Sequence, residues 1–143
     1  MTGDRYGTLR IAARSYAMAR IFVIDDDADL RTMIVDALLP DHEIEVAGDG
    51  LDAVQTIRAG RRFDVILSDL SMPRLDGSQL YWQLIEIAAD QAHRMIFMSG
   101  GDYVLAARHL LTGVKAPYLS KPFVPDRVRA LVADLLELWG PRI

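Results

Sequence analysis

The chain is predicted to adopt an α/β fold, a doubly wound and mainly parallel sheet made from five strand–helix units. Three observations predict it. Short apolar runs alternate along the chain with stretches whose apolar residues recur at the 3.6-residue helical period. One of those runs, Asp64–Ser68, is apolar almost throughout its interior, as a central strand covered on both faces requires. The chemically active side chains collect where the runs end, which is where the loops of an open parallel sheet build their sites.

Taken in order, Arg20–Ile24 is the first strand, and the helix after it sets Leu30, Met33, Ile34, Ala37 and Leu38 on one face until Pro40 stops it. Glu43–Ala47 alternates polar with apolar and reads as a second strand near an edge of the sheet. Gly48–Gly50 turns the chain. Leu51, Ala53, Val54 and Ile57 form the stripe of a second helix that Gly60 terminates. Asp64–Ser68 is the third strand, with Asp69 at its carboxyl end, and Ser78–Ala89 the third helix. Met95–Met98, a helix over Asp102–Leu111, and the short strand Tyr118–Ser120 follow. The last helix buries Val128, Leu131, Val132, Leu135 and Leu138.

Residues 1–17 stand outside this alternation and read as an N-terminal extension, a flexible segment or a short docking helix, ahead of a single domain over 18–143. Met18, two residues before the first strand, could itself be a translation start. At 143 residues the chain has the size of one domain with its own core. Apolar residues make up 51% and charged residues 25%, the balance of a globular protein.

The absence of cysteine excludes disulfides, thiol chemistry and cysteine-ligated metal centres. A net charge of −4 without a basic stripe argues against direct nucleic-acid binding. Charged residues interrupt every apolar run well short of the roughly 18 residues a membrane span needs, and Arg5, Arg10 and Arg14 break up any signal-peptide core. The expected location is cytoplasmic, with no membrane partner.

Four strand ends carry the chemistry: Asp25-Asp26-Asp27, Asp69, Ser99-Gly100 and Lys121-Pro122. Brought to one edge, they make a pocket of carboxylates with one hydroxyl and one ammonium. Clustered carboxylates repel, so either their pKa values rise or a cation holds them ionised. All-oxygen ligands with room for water suit magnesium, and no histidine or cysteine in these loops favours zinc. Each group also has an ordinary structural reading: Asp27 as a helix cap, Ser99-Gly100-Gly101 as a turn, Lys121 as a solvated charge. Their coincidence at four strand ends argues for a site.

The stretches IFVIDDDADLR (21–31), VILSDLSMPRLDG (65–77), MIFMSGG (95–101) and PYLSKPF (117–123) occur in the order and on the elements of the bacterial response regulator receiver domain, which the chain resembles over roughly residues 20–138. The MSGG turn and PYLSKPF resemble in particular receivers attached to, or partnered with, hybrid histidine kinases. The resemblance implies a flavodoxin-like (βα)5 sheet of strand order 2-1-3-4-5.

It also implies Asp69 as phosphoryl acceptor. Magnesium would be ligated by Asp26, Asp69 and the backbone carbonyl of Ser71, with Asp25 acting through water. Ser99 would bond a phosphoryl oxygen, and Lys121 would pair with Asp69 and then with the phosphoryl group. In this resemblance Tyr118 would be the aromatic switch whose rotamer follows Ser99, and Pro122 would follow a cis peptide bond. Gly100 leaves the approach to Asp69 open to a donor. Small residues at Ser71 and Gly101 suggest a site open to hydrolysis. Pro73 stiffens the loop after the acceptor, while Gly77 is read as supplying backbone angles closed to other residues.

The implied partner is a histidine kinase or phosphotransfer protein that docks on Ala28, Arg31, Thr32 and Val35 of the first helix. Output would be by contact through the fourth helix, fifth strand and fifth helix, since only a terminal helix remains after Lys121. A homodimer through that surface is compatible with the sequence but not demanded by it. The chain is read as a signalling domain, not an enzyme acting on an outside substrate. The main alternative is a haloacid-dehalogenase-type phosphatase using Asp25 as nucleophile in the D-x-D pattern. It lacks the acidic pair such an enzyme needs after the lysine. A receiver-like binding module without phosphorylation is the third reading, weakened because every required side chain is present.

Overall fold

A computed structural model describes residues 18–100 and 111–142. Its sheet has five parallel strands, β1 (Arg20–Ile24), β2 (Glu43–Ala47), β3 (Val65–Asp69), β4 (Met95–Gly100) and β5 (Tyr118–Lys121), in the order β2-β1-β3-β4-β5. The helices are α1 (Ala28–Leu38), α2 (Gly50–Arg58), α3 (Gly77–Ile87), the single turn α4 (Ala89–Ala92) and α5 (Pro125–Trp139). The extension 1–17, Gly101 and all of the expected helix Asp102–Leu111 except Leu111 lie outside the described residues.

Strand periodicity divides the core in two. Ile21, Val23, Val65, Leu67, Ile96 and Met98 point to the face closed by Ile34 and Leu38 of α1 and by Val128, Val132 and Leu135 of α5. Phe22, Ile24, Ile66 and Phe97 point to the other face, closed by Ala53, Val54 and Ile57 of α2 and Leu80 and Leu84 of α3. Every residue of β3 is buried, so its last residue, Asp69, is delivered to the middle of the sheet's carboxyl edge.

Several boundaries move, each for a local reason. β3 runs one residue later than expected because pairing with β1 begins at Ile21↔Val65, while the side chain of Asp64 accepts from the Arg20 amide (2.8 Å). β4 and β5 extend because Ser99 pairs with Ser120 and Gly100 with Lys121, which sets both functional residues in regular ladder. The third helix does not reach Ala89. Ala88 (φ −162°, ψ 72°) breaks it, and the α4 turn brings Gln91 to the Phe63 backbone, where it exchanges two hydrogen bonds of 2.8 and 3.0 Å. Gly60 ends α2 at φ 102°, as expected.

Two stripe assignments are corrected. Leu51 lies at the margin of α2's buried face, 36% exposed. On α5 the buried residues are Val128, Val132, Leu135 and Leu136, and Leu138 is 77% exposed. At 100° per residue Leu138 lies about 60° from buried Leu135, so helical phase alone does not expose it; it is the last residue but one of α5, beyond Leu136, the last buried residue of that helix. The corrected face predicts that Leu136→Ala costs about 2–5 kcal/mol whereas Leu138→Ala stays within about 0.5 kcal/mol, measured by urea unfolding. Equal losses would contradict this packing.

Candidate functional site

The β1–β3 register pairs Ile24 with Ser68, so the next residues, Asp25 and Asp69, emerge side by side at the carboxyl edge. Asp25 is wholly buried. Its Oδ1 accepts from the Asp27 amide (2.9 Å) and its Oδ2 from Lys121 Nζ (3.1 Å). Asp69, 5% exposed, receives the same ammonium on Oδ2 at 3.2 Å and the Ser71 amide on Oδ1 at 3.3 Å. Asp26 is exposed, and oxygens of Asp25, Asp26 and Asp69 all lie within 4.8 Å of one another. This compact, all-oxygen donor set fits a hard divalent cation.

One ammonium does not neutralise the group. Burial raises the pKa of Asp69, the neighbouring Asp25 charge raises it further, and Lys121 with the Ser71 amide only partly offsets them, leaving it at about 6. Burial also works against the charge on Lys121. The Asp69 and Asp25 carboxylates outweigh that and raise its pKa above the usual ammonium value. Electrostatic tension is therefore expressed at Asp69.

The remaining expected residues fall on the same edge. Ser99 is buried, and its hydroxyl donates to the Gly100 carbonyl (3.3 Å). The Tyr118 hydroxyl donates to the Ser99 carbonyl (3.0 Å), joining the two through the backbone of β4. A Cβ on Gly100 would only touch Lys121 Cβ at 3.9 Å, so packing does not require glycine there. The Lys121–Pro122 peptide bond is cis. Ser71 is exposed two residues beyond Asp69, and Asp27 caps α1 by accepting from the Asp29 and Leu30 amides.

Gly77 is needed for a different reason than its sequence suggested. It has no left-handed φ; a Cβ there would sit 2.4 Å from the Asp69 carbonyl oxygen, so the constraint is space between α3 and the acceptor. The docking face on α1 also changes. Val35 is half-buried, and Arg31 donates from Nη1 to the Asp25 carbonyl at 2.6 Å, which makes it a support of the carboxylate loop. Nothing in its helical spacing signalled that bond, because it depends on how the β1–α1 loop folds back. Beside this face a cleft of about 500 Å³ opens between α1 and α5, lined by Asp29, Thr32, Met33, Asp36, Pro125 and Arg129.

Among the described residues no helix is long and apolar enough to cross a membrane. Residues 21–133 match the family described as response regulator receiver domain. Over 123 residues the chain is 32% identical to the response regulator MprA of a Mycobacterium species, covering 85% of this chain and 52% of that protein. It is 31% identical over 121 residues to the sensor histidine kinase TmoS of Ectopseudomonas mendocina, covering 83% of this chain and 12% of that one. The chain thus spans about half or less of these relatives. The receiver domain of Francisella response regulator 1452 superposes with a TM-score of 0.72 at 27% identity, over 85% of this chain and 99% of the other. None of these similarities supports the phosphatase alternative.

The raised pKa of Asp69 has a defined effect on stability. Between the unfolded value of 3.8 and the folded value of about 6, the native state holds a proton that the unfolded chain has released. Stability of the metal-free protein contributed by this group is therefore full below pH 4 and is lost as pH rises toward 6. Asp69→Asn should remove that slope, matching wild type at pH 4 and exceeding it by on the order of 1–3 kcal/mol at pH 8, as read from urea unfolding in a chelator. A variant no more stable than wild type at pH 8 would show that the tension lies elsewhere.

Proposed function

The chain belongs to the response regulator receiver domain family, and we propose that within it Asp69 is the phosphoryl acceptor of a two-component phosphorelay. The carrying observation is the Asp69 carboxylate itself. It stands buried at the end of the central strand, 3.2 Å from Lys121 Nζ and within a tight cluster of carboxylate oxygens.

The donor is a phosphohistidine on a histidine kinase or phosphotransfer protein. An Asp69 oxygen forms a bond to phosphorus as the phosphorus–nitrogen bond of the donor breaks, and the imidazole leaves with the electron pair. A carboxylate attacking an anionic phosphoryl group gains from positioning and from positive charge on the phosphoryl oxygens. Magnesium held by Asp26, Asp69 and the Ser71 carbonyl, with Asp25 acting through water, would supply part of that charge. Lys121 supplies the rest from the chain itself, turning from its two carboxylates toward the new anion. Ser99 donates its hydroxyl to a phosphoryl oxygen, and exposed Gly100 keeps the approach clear.

Reorientation of Ser99 would bear on Tyr118 through the hydrogen bond to the Ser99 carbonyl, and so on β5 and the surface around it. The donor's helices would sit in the cleft between α1 and α5, beside Asp29 and Thr32 of α1. We place this exchange in the cytoplasm, with output by protein contact and a homodimer as one form it can take.

Incubation with a small phosphodonor and magnesium, followed by intact mass and peptide mapping, should show one added phosphoryl group on Asp69. Asp69→Asn should take no label while keeping its fold by circular dichroism. Undiminished labelling of that variant would overturn the assignment and return Asp25 to consideration.

A further inference from the structure

Among the described residues Arg74 is the one non-glycine residue with a left-handed backbone (φ 65°). A residue bearing a Cβ adopts that conformation against a steric penalty, so its surroundings must hold it there. The holding contacts are explicit. Arg74 Nε donates to Asp49 Oδ2 at 2.7 Å, and Nη2 reaches the same oxygen at 2.5 Å and Asp52 Oδ1 at 3.2 Å.

The Asp49 side chain is only 11% exposed. Its other oxygen caps α2 by accepting from the Asp52 amide at 3.0 Å. That amide holds the Asp49 carboxyl below the usual range; burial opposes it, and the guanidinium of Arg74 adds to it. Both partners are therefore charged at neutral pH.

A second tie runs beside the first. The Gly50 amide donates to the Leu75 carbonyl at 3.1 Å, an approach open only to glycine because a Cβ would lie 2.3 Å from that oxygen. At the far end of the loop the Gly77 amide returns to the Leu70 carbonyl at 3.2 Å. Asp76 and Gln79 then close a reciprocal cap on α3. The segment between Asp69 and Asp76, which carries Ser71, is thus a strap anchored sideways to the first turn of α2.

We propose that Arg74 is a positioning residue: clamped to Asp49 and Asp52, it sets the conformation of the strap that presents Ser71 beside Asp69, and through it the cation affinity of the site. This rests on the reading of Asp69 and Ser71 as parts of a metal-dependent acceptor site. The Arg74 side chain bonds Asp49 and Asp52, not the carboxylate cluster or Lys121. Its effect is on where the strap lies, and an exposed guanidinium of this kind ordinarily does little for stability.

Arg74→Gly isolates the side chain, since glycine adopts the left-handed backbone without penalty. In that variant the magnesium concentration giving half-maximal labelling of Asp69 by a small phosphodonor should rise about three- to tenfold, below the loss typical of a residue bonded directly to a ligand. The rate at saturating magnesium and the thermal midpoint should stay close to wild type. Arg74→Lys should recover part of the loss, and Asp49→Asn, which keeps the helix cap, should reproduce it. Without metal, the amides of Ser71, Met72, Leu75 and Asp76 should exchange hydrogen faster in Arg74→Gly.

Half-saturation and exchange both unchanged in Arg74→Gly, with wild type labelled normally, would overturn the clamp alone. A fall in the saturating rate and thermal midpoint without a shift in half-saturation would reduce Arg74 to an ordinary structural contact and also overturn it. A wild type that takes no label at Asp69 would instead overturn the acceptor reading on which the clamp depends.

Discussion

Two carboxylates held against each other at the ends of adjacent strands, with one ammonium between them, are the constraint that organises this protein. Asp25 and Asp69 cannot move apart, because the register of β1 on β3 fixes their backbones and the residues that precede them, Ile21–Ile24 and Val65–Ser68, are all buried. Two like charges with oxygens within 4.8 Å of each other repel by at least about 3 kcal/mol at an effective dielectric of 20, and Lys121 is shared between them at 3.1 and 3.2 Å. The site thus holds more negative charge than its own residues neutralise. That excess favours a cation and also raises the pKa of the proposed acceptor when the cation is gone.

The surrounding loops maintain the tension. Arg31 grips the Asp25 carbonyl, the Asp27 amide is taken up by the Asp25 side chain, and Gly77 lets α3 start against the acceptor's own carbonyl. The strap after Asp69 is tied to α2 by Arg74 and by Gly50. Lys121 arrives on the neighbouring ladder, where Gly100 pairs with it. Electrostatics supplies the chemistry, while sheet register and close backbone approaches determine where the charges can be.

Much of this was legible in the chain. β1 and β2 have the bounds their apolar runs suggested, Asp27 caps its helix, and the carboxylates, Ser99 and Lys121 gather at one edge because parallel strands oblige their ends to do so. What escaped depends on contacts distant in sequence or on where the packing of an element stops. Leu138 is apolar and seven residues from Leu131, on the same side of the helix, yet it lies beyond Leu136, the last buried residue of α5, and is exposed. Arg31 reads in the sequence as facing outward, since helical spacing says nothing of the loop carbonyl it reaches. Arg74 lies 25 residues from Asp49, and no local pattern announces that pair. Gly77 was singled out correctly but for its angles, when the true limit is the space beside Asp69.

The most direct test of the account is the titration of the Asp69 side-chain carboxyl, followed by its carbon-13 chemical shift with and without magnesium. Without the metal the midpoint should lie near 6, and saturating magnesium should move it down toward or below the ordinary carboxyl value, because a bound cation favours the ionised form. A midpoint near 3.8 in the metal-free protein, unmoved by magnesium, would contradict the claim that excess buried negative charge at Asp69 creates the site.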